Sequence, residues 1–206
     1  MDKVAPAINR DDQVQPFTDG QIEKLLKAAR GSAHPKRDEA IFLFLLDTGV
    51  RISELCALRM SDVDMLGYGA VVQGKGDKNR RIQFGKTTKR AIWSYLHATP
   101  REPDEPLFIA EGGHNSGEAL TRSGVTQMVR RLGKVACVDG VRCSPHTFRH
   151  TFAINFLRNG GNQFTLMTLL GHTSLEMTSK YVAIAQADVV VQHRMFSPVD
   201  RMKGRR

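Results

Sequence analysis

Along most of this chain the apolar residues recur at helical spacing, and in one stretch, residues 69–84, the pattern gives way to short β-prone runs. Gly69-Ala-Val-Val-Gln73 and Arg80-Arg-Ile-Gln-Phe84 flank Gly74-Lys-Gly-Asp-Lys-Asn79, whose glycines supply the positive φ that a hairpin turn needs. The class that accommodates such a pattern is mainly α with a small antiparallel β-sheet, an α+β arrangement. No internal repeat or low-complexity tract interrupts it.

The helices follow from caps and stripes. Thr18 is the expected N-cap of the first, with Ile22, Leu25, Leu26 and Ala29 on one face and Gly31 as its stop. A second begins near Pro35, contains the apolar run 41–46 and ends at Thr48-Gly49; Arg51 opens a third with Ile52, Leu55 and Leu58 inward. Residues 87–97 form a fourth on Ala91, Ile92, Tyr95 and Leu96, and Leu107-Phe-Ile109 reads as a short buried strand. Val125, Met128, Val129, Leu132 and Val135 give a further stripe, with Arg122, Arg130, Arg131 and Lys134 off it. Ser144 caps the next helix with Pro145 at its first position, and Phe148, Phe152, Phe156 and Leu157 bury one side of it. Asn162 caps a helix closing at Gly171, Ser174 caps one ending with Tyr181, and residues 186–193 form a last amphipathic segment.

In 206 residues, 30 Lys and Arg stand against 21 Asp and Glu, a net charge of +9, which favours a polyanionic partner through salt-sensitive contacts. No apolar run approaches the roughly 18 residues of a membrane span, and the N-terminus lacks the apolar region of a signal peptide, so a cytoplasmic protein without membrane contact is expected. Three cysteines speak against a disulfide framework. Cys137, Cys143, His146 and His150 invite a zinc reading, but the cysteines form no Cys-x2-Cys knuckle and both histidines fall inside a helix. No metal and no cofactor is expected.

His146 and Arg149 are three apart, which on a helix places both on one face with Cβ atoms about 5–6 Å apart. With His172 and Tyr181 following, the stretch suits a phosphate. Attack on a phosphodiester gathers negative charge on two non-bridging oxygens; paired guanidinium groups meet them, imidazoles donate further bonds, and a cation protonates the leaving oxygen. A tyrosine, ordinarily near pKa ~10, needs a strongly positive pocket to ionise. Arg51, Lys75, His146, Arg149, His172 and Tyr181 are the groups on offer; Tyr95 on an apolar face and Tyr68 in a Gly-flanked turn fit ordinary aromatic roles, and His150 fits a hydrogen-bonded helix residue.

Thr-Gly-Val-Arg51-Ile-Ser-Glu54-Leu, the Gly-Lys75-Gly hairpin, His146-Thr-Phe-Arg149-His150, Leu-Gly-His172 and Tyr181 together resemble the catalytic domain of the tyrosine recombinases, in the Xer and phage-integrase branch. The resemblance covers residues 17 to about 195 and implies the tyrosine-recombinase catalytic-domain fold. It also implies DNA cleavage and rejoining through a 3′-phosphotyrosine, without metal or nucleotide. By that likeness Tyr181 is the nucleophile, Arg51 and Arg149 clamp the scissile phosphate, and His146 and His172 stabilise the transition state or shuttle protons. Lys75 is the general acid carried on a mobile hairpin, and Glu54 orients its neighbours. Lys78, Arg80, Arg81, Arg122, Arg130 and Lys134 are the expected DNA-binding cations, double-stranded DNA the expected partner and the nucleoid its place.

Residues 1–16 then read as an interdomain linker or arm, 17–195 as the catalytic domain, and 196–206 as a basic tail. The helical core-binding domain that precedes this part in the family is expected to be absent, leaving DNA binding weak and salt-sensitive. The C-terminal helix, with Val189, Val190, Met195 and Phe196, is expected to dock in trans within a tetramer on DNA or back in cis. One departure from many relatives is Val182-Ala183 where Thr-His follows the tyrosine. A DNA-binding module without chemistry and a topoisomerase-like relaxer are the alternatives; a module has no need of both His146 and Tyr181.

Overall fold

In the computed structural model, which describes residues 15–74, 79–172, 174, 176–185 and 189–202, the first helix starts at a capping box. The Gln21 N–H donates to Thr18 Oγ1 and the Thr18 N–H donates to Gln21 Oε1, which satisfies two donors left over at a helix start. This helix, α1 (Asp19–Arg30), leads to α2 (Pro35–Thr48), which runs through the core with Ile41, Phe42, Phe44 and Leu45 out of water. Gly49 ends α2 in the left-handed region at φ 59°, and a Cβ there would lie 2.3 Å from Phe152, so only glycine makes this turn without displacing α2 from its neighbour. The short α3 (Ile52–Ala57) follows, then a single 3₁₀ turn, Met60–Asp62.

The sheet has three antiparallel strands in the order β1 (Val63–Asp64), β2 (Gly69–Gln73), β3 (Asn79–Gln83). Ala70 faces Ile82 and Val72 faces Arg80 across β2 and β3; Ala70, Val72 and Ile82 are buried, and the intervening Val71 and Arg81 turn outward. Helix α4 (Lys86–Ala98) packs on α2, burying Tyr95, whose hydroxyl accepts from the Ile109 N–H and from Arg101. Then come α5 (Arg122–Val135), capped by Thr121, and α6 (Pro145–Arg158), capped by Ser144. They are followed by α7 (Gln163–Leu170), capped by Asn162, α8 (Glu176–Ala185), α9 (Val189–Phe196) and α10 (Pro198–Met202).

Two apolar clusters form among the described residues. The larger joins α1 to α5, the sheet and Phe148 of α6, around edge-to-face contacts of Phe148 with Phe17 and Phe42. The smaller gathers Ala153, Ile154, Leu157, Leu166, Leu170 and Tyr181 from α6, α7 and α8. Helix α6 belongs to both, so its first two turns lie at their junction.

Four details depart from the sequence expectations. Leu107 and Phe108 are buried, but the segment makes only isolated bridges, Arg59 with Pro106 and Ile109 with Ala119; proline has no N–H to continue a ladder. Val135 is 67% exposed: the buried stripe of α5 steps from Val129 to Gly133, where a Cβ would meet Cys143 Sγ at 2.4 Å, and turns Val135 away. Helix α8 does not stop at Tyr181 but runs to Ala185, since Val-Ala-Ile-Ala offers no Gly or Pro to end it. The stretch expected as a basic tail contains α10, begun by Pro198 after Ser197, whose hydroxyl accepts from the Asp200 N–H. Residues 1–14 of the expected arm and 186–188 of the last segment lie outside the described residues. No described helix is long and apolar enough to cross a membrane.

Candidate active site

Helix α6 begins with Ser144, whose Oγ accepts from the Thr147 N–H, and Pro145. That start projects His146, Arg149 and His150 from its first two turns. Arg149 is buried, and its charge is met by dipoles rather than by a carboxylate: Nη1 donates to Gly49 O at 2.8 Å and Nη2 to Leu170 O at 2.7 Å. Nη2 also donates to His172 Nε2 at 3.1 Å. An arginine has no lone pair to offer, so His172 Nε2 is the acceptor there and its proton sits on Nδ1, directed at Thr178 Oγ1, 2.9 Å away.

The Gly49 turn delivers Arg51 to the same place. Its N–H donates to Glu54 Oε2 (2.8 Å), Nη1 to Glu54 Oε1 (2.9 Å) and Nη2 to Gly171 O (3.3 Å). Glu54 is buried and takes a second guanidinium in a two-point pair, Arg80 Nη1 to Oε1 at 2.6 Å and Nη2 to Oε2 at 2.8 Å. Arg80 Nε then donates to Leu169 O at 3.0 Å. The last carbonyls of α7, unpaired within the helix and at the negative end of its dipole, thus each receive a different arginine: Leu169 takes Arg80, Leu170 takes Arg149, and Gly171 takes Arg51.

Tyr181, on α8, closes the arrangement. Its ring stacks on His172 (centroids 6.2 Å, 12° between planes) and meets His150 at an angle (5.1 Å, 66°). His150 in turn holds its Nε2 2.9 Å from His146 Nε2, so one imidazole donates to the other. Arg51, His146, Arg149, His150, His172, Lys180 and Tyr181 line one cavity of about 440 Å³.

The electrostatics follow from partial burial beside a cluster of cations. Burial first, then the charges of Arg149 and Arg51, pull His172 down to about 4; burial and His146 bring His150 to about 4, and burial and Arg149 lower His146. Burial, then Arg51, brings Arg149 down to about 10, so it keeps its charge at neutral pH. Burial raises the Tyr181 phenol, against an opposing pull from Arg149 and Arg51. Burial also raises Glu54, yet hydrogen bonds from Arg80 and the Arg51 N–H, with the Arg80 charge, outweigh it and leave the carboxylate below its ordinary value. The site therefore presents two cationic forks, neutral imidazoles and a protonated phenol to one hollow, a set fitted to a tetrahedral oxyanion.

A model of the phage integrase family matches residues 15–188. The chain belongs to the phage integrase family. Among its relatives, this family member is 34% identical over 172 residues to the tyrosine recombinase XerC of Staphylococcus aureus strain MSSA476, covering 82% of this chain and 56% of XerC. It therefore spans about half the length of the curated relatives it matches. The crystal structure of XerA recombinase superposes with a TM-score of 0.75 at 33% identity, covering 87% of this chain and 65% of XerA. The integrase of transposon Tn1549, in complex with circular intermediate DNA, gives 0.67 at 25% identity, covering 84% of this chain and 63% of that one. Helices around a three-stranded antiparallel sheet are the tyrosine-recombinase catalytic-domain fold in this integrase-family chain.

Of the residues named from sequence, Arg51, His146, Arg149, His172 and Tyr181 share the cavity and Glu54 lies directly behind Arg51. Lys75 and Lys78 lie outside the described residues. Arg122, Arg130 and Lys134 are exposed on α5, and Arg81 is exposed on β3, paired with Asp64 at 2.6 Å. Arg80, expected as a DNA-binding cation, points inward: its side chain is 12% exposed and all three guanidinium nitrogens face protein acceptors. The period of β3 carried the signal, because Ile82, two residues on, is an inward residue. Sequence reasoning gave no place to Lys180, whose signal was adjacency to Tyr181, nor a site role to His150.

Proposed function

We propose that this chain is the catalytic part of a site-specific DNA recombinase or integrase, which cleaves and rejoins duplex DNA through a 3′-phosphotyrosine. The observation that carries the reading is the convergence of Arg51, Arg149, His146, His172 and Tyr181 on one cavity. In this reading a scissile phosphate takes the donors that Arg51 and Arg149 spend on carbonyls and His172. Tyr181 Oη forms a bond to phosphorus as the bond to the 5′-oxygen breaks, and the phenolic proton passes to a neutral imidazole of the cavity. Burial first, and the arginine charges second, hold His172 and His146 low; a bound phosphate opposes the second cause and so favours proton uptake by both. Lys75, by its motif, protonates the leaving 5′-oxygen. The phosphotyrosine keeps the free energy of the broken phosphodiester, so the reverse attack rejoins the strand.

Arg81, Arg122, Arg130 and Lys134 are assigned to the duplex backbone, acting in the cytoplasm on nucleoid DNA. Met195 and Phe196 of α9 and Val199 of α10, each about half-exposed or more, are assigned to contacts between copies on DNA. The test is a pool of duplexes nicked beside randomised sequence, in which cleavage releases a short 5′-hydroxyl fragment and traps the protein. Covalent protein–DNA adduct with the wild type and none with Tyr181→Phe is the expected result. Duplex binding with no adduct from any pool member would leave a DNA-binding module in place of an enzyme.

A further inference from the structure

Arg80 lies on β3, across the cavity wall from the phosphate-facing groups, and nothing in the reaction above uses it. Its position is nevertheless held by three hydrogen bonds. The side chain is 12% exposed against a Glu54 side chain 3% exposed, with two short charge-assisted bonds between them and a third bond to Leu169 O. A Cβ placed on Gly171 would stand 3.1 Å from Arg80 Cδ and Nε, so the guanidinium stem fills the space beside the α7 terminus that also seats Arg51 and Arg149. Glu54 is shared: each of its oxygens accepts from Arg80 and from Arg51.

That sharing decides what Arg51 can do. A buried carboxylate with a single counter-ion holds it tightly, since an uncompensated buried charge is costly. With Arg80 spanning both oxygens, Glu54 is already compensated, and Arg51, which keeps Nη1 on Glu54 and Nη2 on Gly171 O, can turn Nη2 to a ligand. Without Arg80, Arg51 becomes the only cation on Glu54 among the described residues and is drawn back from the cavity. We infer that Arg80 is a positioning residue for strand cleavage, which shares Glu54 with Arg51 and so loosens the hold of that carboxylate on the Arg51 guanidinium that grips the scissile phosphate. This rests on the function proposed above and replaces a DNA contact for Arg80 with a role exerted entirely through Glu54 and Arg51.

The test uses the whole chain and the nicked duplexes. Single-turnover adduct formation at saturating protein, DNA affinity across salt, and Tm are measured for wild type, R80Q, R80K and E54Q/R80Q. In R80Q the rate of adduct formation falls on the order of 10²-fold, the effect of misplacing a reacting group by about an ångström, while affinity and its salt slope stay at wild-type values. R80K recovers little, because an ammonium cannot span both carboxylate oxygens. E54Q/R80Q is faster than R80Q, since the amide no longer captures Arg51; a role in stability alone would make the second core substitution slow the reaction further. If R80Q does not fold, R80K is read against E54Q/R80K instead.

A wild-type rate in R80Q, a salt slope shallower by about 1, as loss of a phosphate contact would give, or a double variant no faster than the single would each overturn the inference. A readout independent of chemistry is the Arg51 Nε–Hε resonance of the DNA-free protein, which shifts in R80K while that of Arg59 does not; an unmoved Arg51 resonance overturns it as well. A wild type that forms no adduct counts against the proposed function, and the Arg51 resonance still decides the role of Arg80.

Discussion

At the scale of single residues, the cavity keeps its imidazoles neutral and its guanidinium groups held. His150 and His172 are pulled from 6.5 to about 4, and His146 is lowered too, burial being the first cause for each. The unfolded chain therefore binds more protons than the folded one as pH falls below 6.5, so the stability these groups carry is complete above about 6.5 and is lost as pH drops through about 4. The urea midpoint should hold steady from pH 8 to pH 7 and decline from pH 6.5 towards pH 5, with a shallower decline in H150Q/H172Q. Glu54, below its ordinary 4.5, adds its own loss only at lower pH, so that window reports the histidines. A flat midpoint between pH 7 and pH 5 would mean that the imidazoles are as solvated folded as unfolded.

At the scale of elements, α6 and α7 set the geometry by how they begin and end. Ser144 holds the first turn of α6, from which His146 and Arg149 project. Ser144→Ala should cost about 1 kcal/mol and lower Tm by about 2–4 °C, measurable by calorimetry, and should slow adduct formation more than it weakens DNA binding. An unchanged Tm would show that the Thr147 side chain, whose Oγ1 donates to Arg142 O, holds that turn alone. The end of α7 matters for a different reason. Gly171 stops the helix at φ 63° with three successive carbonyls free, and the arginines of three separate elements fill them. One helix terminus is in this way the template on which two cationic forks and the support behind them are aligned.

At the scale of the whole molecule, a charge of +9 should make DNA binding strongly salt-dependent. Lys134→Gln should lessen the slope of log K against log salt by about 0.9, measured by fluorescence anisotropy on duplex DNA; an unchanged slope would remove α5 from the interface. The helices, the hairpin and most of the cavity residues were legible in the sequence, because caps, stripes and spacing act over a few residues and a motif such as His146-Thr-Phe-Arg149 places its members on one face by local geometry alone. The extent of α8 beyond Tyr181 and the outward turn of Val135 were less so, since the first depends on the absence of a stop and the second on a Gly133–Cys143 contact. What could be read from the sequence alone is which residues carry charge and where the helices up to α7 start. Only the tertiary structure decided which charges are spent on the protein: Arg80 and Arg81 are neighbours of one residue type, yet one is sealed against Glu54 and the other stands on the surface beside Asp64. Burial and pairing come from elements far apart in the chain, and no local pattern encodes the carbonyls of α7 that select among the arginines.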